Sequence, residues 1–181
     1  MHRDARSRRL SRCASLLAPR GVRLGLTVST ARSAVIEIFD RQRRVRGFDL
    51  AGLRQNALAI EHAAGIGGRD VCVTLVSDAR IRRLNRDYRG KDRPTDVLSF
   101  AQTEGEDGAT NPSDGLGDVL ISLETAERQL DVRGFTLLEE VTHLLIHGVL
   151  HLLGHDHERD DEAARMEAEE QRLWAAVRGA A

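Results

Sequence analysis

Between Phe135 and Gly154 the chain carries an apolar, helix-like stretch interrupted at fixed intervals by imidazoles: His147, His151 and, just past Gly154, His155 and His157. Residues four apart lie one above the other on the same helical face, so His147 and His151 would form a pair. Gly154 follows three residues later, where it can take the left-handed conformation that ends a helix and turns the chain back. His157 can then return from the loop to meet the first two rings. Polar rings on a Leu-, Val- and Ile-rich helix are costly to bury without partners, and a divalent ion supplies the partner. Three neutral imidazoles leave a fourth coordination position for water or substrate, which separates a catalytic site from a closed structural one. His143, one turn before His147, and His155 are further candidate ligands. His155 could join a one-face row only if the helix ran through Gly154, against the low helix propensity of glycine. Asp156 stands where it could orient a ligand ring.

Ligand spacing does not choose a reaction. Metzincin peptidases use the same His, His, Gly, His frame, but they carry a Glu directly after the first His as general base. Here that position is Gly148. Without a proton acceptor the peptidase mechanism is disfavoured, and the metal is expected to serve another substrate.

A second informative stretch is Leu84-Asn-Arg-Asp-Tyr-Arg89-Gly-Lys-Asp92-Arg-Pro-Thr-Asp96-Val-Leu-Ser-Phe100. Together with His147-Gly-Val-Leu-His151-Leu-Leu-Gly-His-Asp-His157 and the linking Gly117-Asp-Val-Leu-Ile-Ser122, it resembles the YbeY-type metal-dependent endoribonucleases over about Val35 to Trp174. The resemblance implies a single small α+β domain, a mixed sheet packed by helices, with a zincin-like metal-bearing helix. It implies a metal-dependent, usually zinc-bound endoribonuclease that prefers single strands and acts in ribosomal RNA maturation and ribosome quality control. Its partners would be single-stranded RNA, ribosomal RNA precursor and the ribosome, with neither DNA nor membrane expected. The three His of the family motif fall on His147, His151 and His157, and its functionally important Arg falls on Arg89. The chain departs from the motif at His155, where an aromatic is usual, and at Ala101, where a Pro is usual.

The chemistry of Arg89 agrees. Its planar fork of donors matches a phosphate and stays charged at any working pH, so it could stabilise charge building on a scissile phosphate. The ion would act as a Lewis acid on a phosphate oxygen or activate a water, unless the 2′-hydroxyl of the RNA attacks. Asp96, Ser99 and His143 are candidates to take the proton, with structural duty the commoner role for each. The rival reading is a non-catalytic ribosome-assembly factor whose His cluster holds a structural metal, which a fourth ligand from His155 or His143 would favour.

A chain of 181 residues suits one domain with enough core to fold unaided. The two cysteines, Cys13 and Cys72, make no disulfide framework. Cys72 reads as a buried thiol, and a reducing, cytoplasmic location is expected. No apolar run approaches a membrane span. Net charge is −1 but unevenly spread, with eight Arg against Asp4 alone in residues 1–32. That segment is expected to be a disordered basic extension, with the endoribonuclease domain over 33–178. It lacks the continuous apolar core of a secretory signal.

Alternation predicts strands over Val35–Asp40, Val71–Val76, Val97–Phe100 and Asp118–Ser122. Helical spacing predicts helices over Asp49–Ala64, with Asp49 as cap, over a segment capped by Asp78 with Ile81, Leu84 and Tyr88 on one face, over Leu123–Leu130, Phe135–Leu153 and Asp160–Val177. Residues 103–115 read as a mobile loop. Trp174 is expected in the core, and with few aromatics the stacking platforms typical of sequence-reading RNA modules are expected to be absent.

Overall fold

Val71, Val73 and Leu75 alternate with Cys72, Thr74 and Val76, and the odd-numbered set enters the main core while Cys72 takes the opposite face. This strand is the second in a computed structural model that describes residues 36–66, 69–102 and 115–180. The expected basic extension 1–32 and most of the 103–115 loop lie outside the described residues. In chain order the elements are β1 (Ile36–Asp40), α1 (Leu50–Ala64), β2 (Val71–Val76), α2 (Asp78–Arg89), β3 (Val97–Ala101), β4 (Gly117–Ser122), α3 (Leu123–Arg133), α4 (Leu137–Leu152) and α5 (Asp160–Gly179). Each strand and helix predicted from spacing is present, with ends shifted by at most a few residues.

The four strands form one mixed sheet in the order β1-β2-β4-β3. β1 pairs with β2 and β2 with β4 in parallel, whereas β3 runs antiparallel to β4, with Ser99 opposite Val119 and Leu98 opposite Leu120. The domain is therefore α+β, a small mixed sheet packed by helices. α4 lies against β3 and β4, and α1, α3 and α5 pack around α4. α4 is apolar nearly all round, from Val141 through Leu144, Leu145, Ile146 and Val149 to Leu152, as an enclosed helix must be. Ile81 and Leu84 of α2 are buried yet stand apart from the main core, as do Leu98 and Leu120. α2 thus covers the face of β3 and β4 opposite α4.

Helix ends follow local chemistry. Asp49 caps α1 by accepting from the Gly52 N–H at 2.8 Å, as predicted. α4 begins with a capping box in which Thr136 and Glu139 satisfy each other's backbone N–H groups. Asp78 differs from expectation, because Ser77 holds the cap position of α2 and the Asp78 carboxylate turns instead to α3. It accepts from Ser122 Oγ at 2.6 Å, Thr125 Oγ1 at 2.7 Å and Arg128 Nη2 at 2.8 Å. Cys72 is a second difference: it is half-buried, on the strand face away from the main core, rather than fully buried. Among the described residues no helix is long and apolar enough to cross a membrane.

Burial would raise the Asp78 pKa, but hydrogen bonds from Ser122, Thr125 and Arg128, with the Arg128 charge, hold it below the usual carboxylate value. A depressed folded-state pKa adds stability that is complete above the unfolded value of about 3.9 and disappears as pH falls through the folded one. Asp78→Asn is therefore expected to be less stable than wild type in urea at pH 7, with the gap narrowing as the pH is taken below about 4. A gap independent of pH would contradict this role.

Candidate metal centre

α4 ends where the sequence places its stop. Gly154 has φ +90°, its N–H donates to the His151 carbonyl at 3.0 Å, and the His155 N–H donates to the Leu150 carbonyl at 3.0 Å. This paired capping is the Schellman arrangement, and it reverses the chain immediately after His151. The reversal brings His157 back over the helix. One ring nitrogen from each of His147, His151 and His157 falls within 4.8 Å of the others. Ring centroids are 4.6 Å apart for His147 and His151, 5.6 Å for His147 and His157, and 5.2 Å for His151 and His157.

The donor set fits a divalent ion. His147 Nδ1 lies 2.7 Å from Glu170 Oε1, and an ionised carboxylate can only accept, so Nδ1 carries the proton. His147 Nε2 then presents a lone pair 3.0 Å from His151 Nε2. Burial, followed by the neighbouring His147 and His157, holds the His151 pKa below its usual value, against Asp156 and a backbone hydrogen bond with His155. His151 is therefore neutral near pH 7. Lone pairs facing each other at this distance repel unless a proton or a cation lies between them. Ligand nitrogens around a tetrahedral metal stand about 3.3 Å apart, given bonds of about 2.0–2.1 Å, which small side-chain rotations reach from this geometry.

The other candidates are placed differently. His143 sits edge-on to Trp174, at 6.5 Å, and lines a cleft of about 230 Å³ shared with His147, His157, Met166 and Glu170. It does not join the three converging rings, and neither does His155, because the helix ends before it. Among the described residues no fourth His, Cys, Asp or Glu completes the group. Asp156 accepts from the His157 backbone N–H at 2.7 Å, so it shapes the returning loop rather than bonding a ring. Trp174 packs on the core, stacked on Phe135 at 5.6 Å.

Arg89 is the last residue of α2 and is exposed, with Nη2 donating a long hydrogen bond, 3.4 Å, to the Ser99 carbonyl on the edge strand β3. Ser99 Oγ in turn donates to the Gly148 carbonyl at 3.2 Å, beside His147. Two bonds thus link the arginine to the imidazole-bearing helix. Ser99 has a structural partner here, as does Asp96, which accepts from the Val97 N–H, Thr95 Oγ1 and Gln129 Nε2. Burial pushes the Asp96 pKa up, but these bonds outweigh it and keep the group ionised and occupied.

Three features escape the sequence reading. Glu170 is one carboxylate in an acid-rich helix, although its spacing from the buried Met166, Leu173 and Val177 puts it on the inward stripe. Tyr88, expected on the buried side of α2, is 56% exposed and meets Phe100 edge-on at 5.1 Å. Gly148 has a packing reason: a Cβ there would lie 2.6 Å from Val119 Cγ1 and 3.1 Å from Ser99 Oγ. A general-base carboxylate cannot be seated at that position.

Three converging imidazoles, two of them on the enclosed helix of a small α+β domain with a mixed sheet, form a group that could hold a metal ion. Comparison with known proteins gives the family. The Endoribonuclease YbeY family matches residues 36–178. An Endoribonuclease YbeY of Geobacter metallireducens is 45% identical over 142 residues, 77% of this chain and 93% of the relative. One of Thermus thermophilus is 40% identical over 141 residues, covering 78% and 99%. The solution structure of TM1509 from Thermotoga maritima aligns with a TM-score of 0.52 at 27% identity, over 80% of this chain and 92% of that one. The chain belongs to the Endoribonuclease YbeY family, whose members are hydrolases acting on RNA.

Because Gly148 sets how closely α4 approaches β4, Gly148→Val is expected to cost about 2 kcal/mol or more by overpacking, read as a lower urea midpoint. An unchanged midpoint would show that the contact is not tight.

Proposed function

We propose that the domain cleaves phosphodiester bonds in single-stranded RNA during ribosomal RNA maturation and ribosome quality control, with a zinc ion on His147, His151 and His157. The observation that carries this reading is the convergence of three imidazoles with no fourth protein ligand among the described residues. A divalent ion bound there supplies Lewis acidity to a phosphate oxygen or to an attacking water. The His151 ring, kept neutral by burial, is ready to coordinate at physiological pH. Arg89, exposed and leaning on the edge strand, presents its fork to the phosphate and balances the charge that develops in the transition state. The same open side argues against a closed structural metal and an assembly factor that acts through binding alone.

Single-strand preference has a support of its own. Tyr88 is an exposed aromatic one residue before Arg89, and an unpaired base can stack on such a ring while a paired one cannot. The precursor RNA and ribosome as partners, and a cytoplasmic location, belong to this reading as what an enzyme of ribosomal RNA maturation requires.

Arg89→Ala is expected to lower cleavage of a single-stranded RNA by about 10²–10³-fold, as for loss of one charge-stabilising donor, while zinc content and fold stay as in wild type. Equal cleavage by the two proteins would sink the role of Arg89. Tyr88→Ala is expected to raise KM for that RNA more than it lowers kcat, and Tyr88→Phe to restore it. A KM unchanged in Tyr88→Ala would remove the stacking argument. Substituting 2′-deoxyribose at the cleaved linkage separates the two nucleophiles, since persistence of cleavage rules out attack by the RNA's own hydroxyl.

A further inference from the structure

We propose that Glu170 is the positioning residue of the metal centre, holding His147 in the tautomer whose Nε2 lone pair faces His151 and His157. The inference rests on the metal-site reading above and adds a residue that the three-His motif does not contain. The contact is short, 2.7 Å from His147 Nδ1 to Glu170 Oε1, and the two side chains are only 26% and 20% exposed. Neither end is free to wander. His147 belongs to the most enclosed helix of the domain, and Glu170 is carried by α5 between the buried Met166 and Leu173. On the same helix Asp160, Asp161 and Glu167 are exposed and Glu169 pairs with Arg172, whereas Glu170 turns inward to the imidazole.

The chemistry follows from the inventory of an imidazole. A neutral ring has one N–H and one lone pair, and only the lone pair can coordinate. With no acceptor at Nδ1, the proton is free to occupy Nε2, the atom that faces His151 at 3.0 Å. A carboxylate at Nδ1 fixes the useful tautomer, sets the ring plane and makes Nε2 a stronger donor. Helix α5 therefore takes part in the centre without touching the ion. The packing of α5 on α4 and the geometry of the ligand set become one structural property.

The test uses full-length protein in three forms: wild type, Glu170→Ala and Glu170→Gln, each checked for helix content and urea midpoint. In metal-free protein, ¹⁵N NMR of the His147 ring is expected to show the Nδ1–H tautomer in wild type and a mixture in Glu170→Ala. Zinc affinity, read by competition with a chromogenic chelator, is expected to fall roughly 10–100-fold in Glu170→Ala, as for other partners of ligating histidines. Glu170→Gln keeps an accepting oxygen and is expected to recover most of the tautomer bias and part of the affinity. Folded Glu170→Ala with wild-type tautomer and wild-type zinc affinity overturns the inference and leaves the metal-site reading standing. A wild-type protein that takes up no zinc overturns the metal-site reading itself, and the positioning role with it.

Discussion

Helix α4 can lie on strands β3 and β4 at its observed depth because residue 148 has no side chain. Val119 and Ser99 occupy the space that a Cβ would need, and Ser99 bonds the carbonyl of the same residue. That approach orients the whole helix. With Gly148 pressed to the sheet, the neighbouring positions 147 and 151 point toward the surface, where α5 and the returning loop meet them. The contact also joins the two motifs of the chain, since Ser99 reaches the imidazole-bearing helix with its hydroxyl and Arg89 with its carbonyl. One tight packing contact thus decides where the imidazoles stand and how the arginine is tied to them. It also closes the position where a peptidase would carry its base.

Electrostatics then prepares the cluster. His147 is polarised by Glu170, and His151 is kept neutral by burial and by its two neighbouring rings. His157 approaches from the exposed loop, its backbone held by Asp156. Two of the imidazoles come from helix α4 and the third follows a turn built by Gly154. An arrangement of this kind leaves a side open to substrate, which an RNA hydrolase needs.

Much of this was legible in the sequence because it is local. The His147, His151, Gly154, His157 spacing encodes a helix face, a stop and a return, and each step depends only on neighbours along the chain. Strand alternation and the Asp49 cap are local in the same sense. The Thr136 to Glu139 capping box was equally readable, and it places the start of α4 at Leu137 rather than Phe135. What stayed hidden is non-local. The central place of β4, between β2 and β3, depends on how the helices close over the sheet. Asp78 looks like a helix cap until Ser122, Thr125 and Arg128 are brought to it from α3 and its own cap residue. Tyr88 has the spacing of a buried residue, yet α2 ends at the edge strand and leaves the ring outside. Glu170 is chemically indistinguishable from its acidic neighbours, and only the packing of α5 selects it.

The most direct test of the account is the coordination of zinc in wild-type protein, measured by X-ray absorption. The account requires three imidazole nitrogens and one light oxygen ligand at about 2.0–2.1 Å, with the oxygen exchangeable for an added anion. A fourth imidazole or a sulfur in the first coordination shell, or zinc that binds undiminished after His151→Ala, would contradict an open catalytic centre on these three residues.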